Sequence, residues 1–272
     1  MEKIVTIDKI SKLDDYQVFD SFLIVNKFYS CFHKDGLCNR NSLRMISLIH
    51  ERKKKAYVLL DRVMFNEDLE NLKVFLYQLE AKGCDGYFFS DLGVMKLLEE
   101  MEIIHKGYFY SQTQIVSTLE LKSYLEYKVK TVFISKDLPL NDIIKVSSNL
   151  SLGVNVYGYR NLFYSRRKLL SSYKEEYSLK DKFAKSDKYK IRELKREAKS
   201  IIYEDDYGTY VFTSYIDNHI NHLALLDENK VEYVLFDDNF VSKEEFIKVI
   251  EYLENPKGLF TLSSKEVDTY VQ

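Results

Sequence analysis

The sequence predicts an α/β fold, a parallel sheet wrapped by helices, and three observations carry that reading. Short β-rich runs alternate with amphipathic helical stretches, at a spacing of roughly 25 residues per repeat, from the N-terminus to residue 173. Strands joined through helices must run parallel through right-handed crossovers. With 272 residues, 46% of them hydrophobic, the chain can bury a large core. That length suits one barrel or an α/β domain with an appendage, and eight strand–helix units would close a (β/α) barrel.

Each element has its own signal. Ile4–Ile7 and Phe22–Phe28 are short apolar runs, and Asn39–Arg52 follows with Leu43, Ile46, Leu48 and Ile49 on or near one helical face. Ala56–Met64 reads as a strand. Glu67–Ala81 is a helix whose stripe is Leu69, Leu72, Phe75, Leu76 and Leu79, stopped at Lys82-Gly83. Gly86–Phe89 is the next strand, and Ser90-Asp91 caps a helix from Leu92 to Met101. Gly107–Tyr110, a helix near Thr118–Tyr127, Thr131–Ile134 and a helix near Leu140–Leu150 continue the alternation. Gly153–Tyr157 is the seventh strand, and Gly158 then permits a turn. Residues 1–173 thus form the main part of the barrel. Residues 174–199 read as a charged linker or solvated helix, because their apolar residues are too sparse for a core helix. Residues 200–272 form an α/β part that completes the barrel. It holds a hairpin around the acidic run Glu204-Asp205-Asp206, a strand at Val231–Phe236 and a helix from Lys243 to Leu253.

In a barrel the chemistry sits on the loops after the strands. Those loops offer Asp61, Arg62, Ser90, Asp91, Ser111, Gln112, Ser135, Lys136, Tyr157 and Arg160. Taken singly, Ser90-Asp91 and Ser135-Lys136-Asp137 also fit the start of a helix. The stretch after strand seven packs Tyr159, Arg160, Phe163, Tyr164, Arg166, Arg167 and Lys168 together, a set able to stack on rings and bind anions or to form a solvated edge loop.

The formal net charge of −2 is unevenly spread. Residues 166–199 carry thirteen Lys/Arg against six Asp/Glu, and residues 200–272 carry five against fifteen. The basic block can attract nucleic acid, or the two blocks can face each other. The N-terminal residues lack the layout of a signal peptide, and no apolar run approaches the ~20 residues of a membrane span, so a cytoplasmic protein with no membrane partner is expected. Three cysteines, Cys31, Cys38 and Cys84, argue against a disulfide framework and a four-cysteine metal site. His219 and His222 share helical spacing without further ligand-type neighbours, which favours a surface or cap role.

The stretch from Gly153 to Tyr173 resembles the signature segment of the peptidase U32 family, the collagenase-like proteases and their relatives, where a strand ends in His-Gly and runs into Tyr-Ser-Gly-Arg-Cys-Leu-Leu-Ser. Gly158, Tyr164, Ser165, Arg167, Leu169, Leu170 and Ser171 match that pattern. The family's His falls on Tyr157, its Gly on Arg166, and its two cysteines on Asn161 and Lys168. The run Asp85 to Val94 is similar to the family's Ser-Asp-Leu-Gly-Val segment, Ile134 to Leu138 to its Leu-Ser-Arg-Glu-Leu, and Gln112 falls on its Ser-Thr-Gln motif. Near the C-terminus, Asp237 keeps the acidic residue of a Lys-Ile-Glu-Gly-Arg strand whose Gly-Arg pair is gone.

The resemblance implies a TIM-like barrel, incomplete or distorted where the charged insertion enters. It also implies two lines of activity. Members that modify tRNA wobble uridines or assist quinone hydroxylation hold an iron–sulfur cluster on four cysteines. Without the two signature cysteines this chain is expected to bind no cluster and no other cofactor. tRNA modification, as a divergent enzyme or as a partner of a more intact family member, is the first expectation, with tRNA as partner. A collagenase-like peptidase is the second, and a barrel that only binds or scaffolds is the third. The catalytic candidates are Ser135, Lys136, Asp91 and Gln112; the substrate-binding candidates are Asp61, Tyr157, Arg160, Tyr164, Arg166 and Arg167. A peptidase is hard to write from these residues, because Ser135 or Ser165 would need a positioned base, no His lies on the predicted working face, and Lys136 or Asp137 would have to serve.

Overall fold

Eight parallel strands close on themselves in the computed structural model, which describes residues 1–111, 114–147, 150–179, 189–195 and 197–262. The chain lays down β1 (Glu2–Ile7), β2 (Ser21–Val25), β3 (Lys55–Leu60), β4 (Gly86–Phe89), β5 (Gly107–Tyr110), β6 (Thr131–Phe133) and β7 (Leu152–Ser165) in neighbouring order. It then makes β8 (Tyr189–Arg192), β9 (Lys199–Glu204) and β10 (Thr209–Asn218), and returns with β11 (Tyr233–Phe236). β11 pairs in parallel with β1 on one side, Ile4 opposite Leu235, and with β7 on the other, Leu235 opposite Asn155. The ring is a TIM-like barrel, and its last strand comes from the acidic C-terminal part.

Helices lie outside: α1 (Asn39–Glu51), α2 (Asn66–Ala81), α3 (Leu92–Glu100), α4 (Thr118–Glu126), α5 (Leu140–Ser147), α6 (Leu169–Glu176), α7 (Leu223–Glu228) and α8 (Lys243–Glu254). Their buried stripes, such as Leu72, Phe75, Leu76 and Leu79 of α2 and Phe246, Val249 and Ile250 of α8, recur at helical spacing and face the outside of the sheet. The barrel interior is a separate aromatic cluster containing Tyr57, Phe88, Tyr108, Tyr110, Phe133 and Tyr233. Phe88 and Tyr108 stack at 4.7 Å between centroids. Such rings fill the bore and leave Gly153 no room for a side chain, since a Cβ there would lie 2.5 Å from the Phe133 ring.

Two features differ from the sequence expectation. The seventh strand does not stop at Gly158. β7 runs on to Ser165, leaves the barrel, and pairs antiparallel with β10, which pairs with β9 and then β8. Gly158 has φ +137, and its missing Cβ lets the Asp237 backbone approach, its carbonyl oxygen 2.8 Å from where a Cβ would sit. The glycine therefore admits a neighbouring strand rather than a chain reversal. Within the charged stretch, Tyr189–Arg192 is a strand, not a linker or helix, because β9 offers it an edge. Among the described residues, no helix is long and apolar enough to cross a membrane.

Candidate active site at the barrel mouth

The strand ends bring a set of charged side chains to one mouth, and the antiparallel extension folds over them. Asp61, directly after β3, is 2% exposed. Its Oδ1 accepts the Cys31 backbone N–H at 2.8 Å, whereas Oδ2 has no hydrogen-bond partner among the described residues. The Cys31 carbonyl in turn meets His33 Nδ1 at 3.0 Å. That contact turns His33 Nε2 toward Asp237 Oδ1, 3.3 Å away, with both side chains buried. Asp237, directly after β11, also accepts Thr6 Oγ1 and the Asn239 backbone N–H, each at 3.0 Å.

Lys136, in the β6–α5 loop two residues beyond Ile134, is buried within electrostatic reach of Asp237, Asp217, Arg160 and Asp61. Arg160 donates to the Lys136 carbonyl at 3.0 Å and to Asp137 at 3.1 Å, bonds the Tyr215 hydroxyl, and has its Nε 3.9 Å from Asp217. Deeper in the bore the Tyr110 hydroxyl donates to Asn155 Oδ1 at 3.2 Å.

This packing sets the proton affinities. Burial pushes the Asp61 carboxyl up to about 6, against the nearby His33 and the Cys31 N–H, which favour its anion. Burial alone would lower His33, but Asp237 and Asp61 outweigh it and raise the imidazole to about 9. Burial works against Asp237 too, yet His33 and Lys136 hold it well below the usual carboxylate range. Lys136 is lowered by burial in spite of its acidic neighbours. The mouth thus holds a fixed imidazolium–carboxylate pair beside a carboxyl that changes protonation near neutral pH. Such an arrangement can give or take a proton.

The roof is aromatic. Phe32 meets Tyr164 and Tyr210 edge-on at 5.6 and 5.5 Å, Tyr164 stacks on Tyr210 at 5.0 Å, and Phe240 packs on Phe212 at 5.0 Å. A cavity of about 280 Å³ runs along the seam between the β2–α1 loop and the β9–β10 hairpin, lined in part by Asn26, Ser30, His33, Tyr203 and Tyr207.

The ten residues expected at the site therefore part company. Asp61 and Lys136 lie together among the charges, with Arg160 at their edge. Asp91 is spent as the cap of α3, accepting Gly93 N–H at 2.7 Å, Val94 N–H at 3.3 Å and, on its other oxygen, Met64 N–H at 3.2 Å. Ser135 Oγ accepts the Asp137 N–H at 3.2 Å, a turn contact rather than an activated nucleophile. Tyr157 packs outward against Phe246 and Phe260, because the register slips between Leu235 and Phe236 and breaks the in–out alternation of β7. Tyr164 belongs to the roof. Arg166 and Arg167 are exposed at the rim, Arg166 with its guanidinium 3.6 Å over the Phe65 ring. Gln112 lies outside the described residues.

The expectation that no His reaches the working face is corrected. His33 stands in the loop after β2, a strand-end loop like those that hold Asp61 and Lys136, and its place in the chain was the available signal. His219 is buried, 3.7 Å from Asp217, and not a surface residue.

The sequence model of peptidase family U32 matches residues 27–257. The chain belongs to peptidase family U32. Among similar proteins, tRNA hydroxylation protein P2 of Bacillus subtilis is 20% identical over 76% of this chain and 67% of its own length. tRNA hydroxylation protein P of Helicobacter pylori J99 is 25% identical over 47% of this chain, and the uncharacterized protease MJ0090 of Methanocaldococcus jannaschii is 29% identical over 47%. The U32 chain spans only about a third of the length of these last two, 31% and 32%. The solved structure of the U32 peptidase Mk0906 superposes with a TM-score of 0.56 over 87% of this chain and 92% of that one, at 11% identity, which speaks for the shared fold.

A four-cysteine cluster of the kind held by some U32 members does not fit these residues. At the two signature positions Asn161 donates to the Phe163 and Val211 carbonyls at 3.1 and 3.3 Å, and Lys168 lies 3.5 Å from Asp206. Neither offers a thiolate. Cys31 and Cys84 bond carbonyls at opposite ends of β3, those of Asp61 and Ala56, so they cannot share one ligand set.

Proposed function

We propose that this U32 family member takes part in tRNA modification, the hydroxylation of a wobble uridine, by holding RNA at the rim of the barrel mouth. It does so as a divergent enzyme or beside a second family member that keeps the signature cysteines, and that role belongs in the cytoplasm. The observation that carries the reading is the rim itself, where exposed Arg166 lies over exposed Phe65 and the exposed cations Arg167 and Lys168 follow. Unstacked bases pack on aromatic and guanidinium faces, and cations pair with phosphates. The names of the B. subtilis and H. pylori relatives support it. A hydrolase would need an activated nucleophile, and the nearest thiol, Cys31, is pushed well up by burial and donates to the Asp61 carbonyl.

Filter binding of total tRNA from low to moderate salt, with and without a cysteine-bearing family member, tests this. Affinity should fall with a log–log slope of about 0.7 to 0.9 per phosphate contact. Changing Arg166 and Arg167 together to Ala should flatten that slope by about 1.4 to 1.8 units. Absence of salt-sensitive binding by the wild type in both settings would move the conclusion to a collagenase-like peptidase or a scaffold barrel.

A further inference from the structure

Beside the mouth a second cleft, of about 500 Å³, opens between the β2–α1 loop, α2 and the β9–β10 turn. Its size falls within the roughly 300–1,000 Å³ of small-ligand sites. The walls combine three kinds of group. Phe28 and Tyr207 offer rings, α2 offers the exposed amides of Asn71 and Gln78, and Arg62 lines it as well. Asn71, Val74, Phe75 and Gln78 recur at helical spacing, so they line the cleft as one face of α2.

Arg62 is the informative member. It is 5% exposed, its Nη2 donates to Asp68 at 2.7 Å, and its guanidinium lies 4.3 Å from the Tyr207 ring centroid. Its Nε, however, has no hydrogen-bond partner among the described residues. That atom is itself buried, so Arg62 acts on the cleft through its guanidinium, which braces the Tyr207 ring and is held by Asp68. Asn71 spends its Nδ2 on the Glu67 carbonyl at 3.1 Å and keeps its own carbonyl oxygen as an acceptor. The Lys27 ammonium sits over Phe28 at 5.2 Å, a cation beside one ring. Rings for stacking, amides that present donor and acceptor side by side, and flanking cations are the chemistry that receives an extruded base. One loop connects the cleft to the rim, since Arg62 lines the cleft, Phe65 follows it in the β3–α2 loop, and Arg166 covers Phe65.

We propose that this cleft docks one unstacked nucleobase of single-stranded RNA, stacked on Phe28 and Tyr207 and read by the amides of Asn71 and Gln78. The inference rests on the RNA-binding reading and names where on the protein the base goes. The test uses the full chain and a short single-stranded RNA carrying 2-aminopurine, with a duplex of the same length as competitor. Binding should quench the 2-aminopurine by stacking, and the duplex should compete poorly. Phe28→Ala, Gln78→Ala and Tyr207→Ala should each weaken binding, the ring changes by about tenfold, without altering the salt slope. Tyr207→Phe should bind like the wild type. Phe28 and Gln78 are exposed, so their variants keep the fold, and a melting curve of each checks this. Salt-dependent tRNA binding that survives Phe28→Ala and Tyr207→Ala unchanged overturns the cleft and leaves the rim reading standing. A duplex that competes as well as the single strand also overturns the cleft. Absence of any RNA binding by the wild type overturns both.

Discussion

His33 Nε2 lies 3.3 Å from Asp237 Oδ1, joining the loop after the second barrel strand to the end of the last, with both side chains buried. The pair spans the β1 edge of the barrel mouth, beside Asn239, which donates to the Phe32 carbonyl and accepts the Lys34 N–H. Removing one partner of a buried pair strands the other charge, at a cost of about 3–5 kcal/mol. His33→Ala should lower stability by that order in a urea titration, and Asp237→Asn should do the same; a loss under 1 kcal/mol from both would show that the pair is not closed in solution.

The same pair sets a pH dependence. A His held at about 9 against an ordinary 6.5 binds more protons folded than unfolded between those values. Its stabilisation is complete below pH 6.5 and is lost as pH rises through 9, in all about 3 kcal/mol. Asp237, held below its ordinary range, acts at the other end, stabilising above about pH 4 and losing this as pH falls. Unfolding free energies measured between pH 6.5 and 9 should fall in the wild type and stay flatter in His33→Ala.

Asp61 runs the opposite way from Asp237. Its carboxyl, raised from 3.8 to about 6, is more easily protonated folded than unfolded, so stability should fall as pH rises from about 4 to 6. Asp61→Asn keeps the shape, removes that loss, and should gain about 1–3 kcal/mol at pH 7. Equal stability of wild type and variant across pH 4 to 7 would rule out the raised carboxyl.

The arginines near the end of β7 should separate by burial. Arg160, with its side chain 12% exposed and its partners Asp137, Asp217, Tyr215 and the Lys136 carbonyl, should cost about 2 kcal/mol or more on change to Ala. Arg166→Ala and Arg167→Ala, both exposed, should stay within about 0.5 kcal/mol each. Denaturant midpoints decide it.

Gly158→Ala should be strongly destabilising, because φ +137 is closed to a side chain and the Cβ would press on the Asp237 carbonyl at 2.8 Å. A loss of about 2 kcal/mol or more is expected, with the His33–Asp237 contact disturbed as well. A variant that melts with the wild type would show that β7 and β11 part easily at this point.

By itself the sequence determined the alternation of parallel strands and helices and the loop positions of Asp61 after β3 and Lys136 after β6. Those follow from local periodicity, since a strand end is fixed by where the apolar run stops. Tertiary structure alone decided which of these side chains face one another. The register slip beside Tyr157 turns that ring outward, the N–H groups that begin α3 occupy Asp91, and a hairpin from residues 199–218 seals the mouth. His33 and Asp237 stand 204 positions apart, and nothing in either neighbourhood names the other. They meet because β11 inserts between β1 and β7 to close the ring, and closure is a property of the whole sheet rather than of any segment in it.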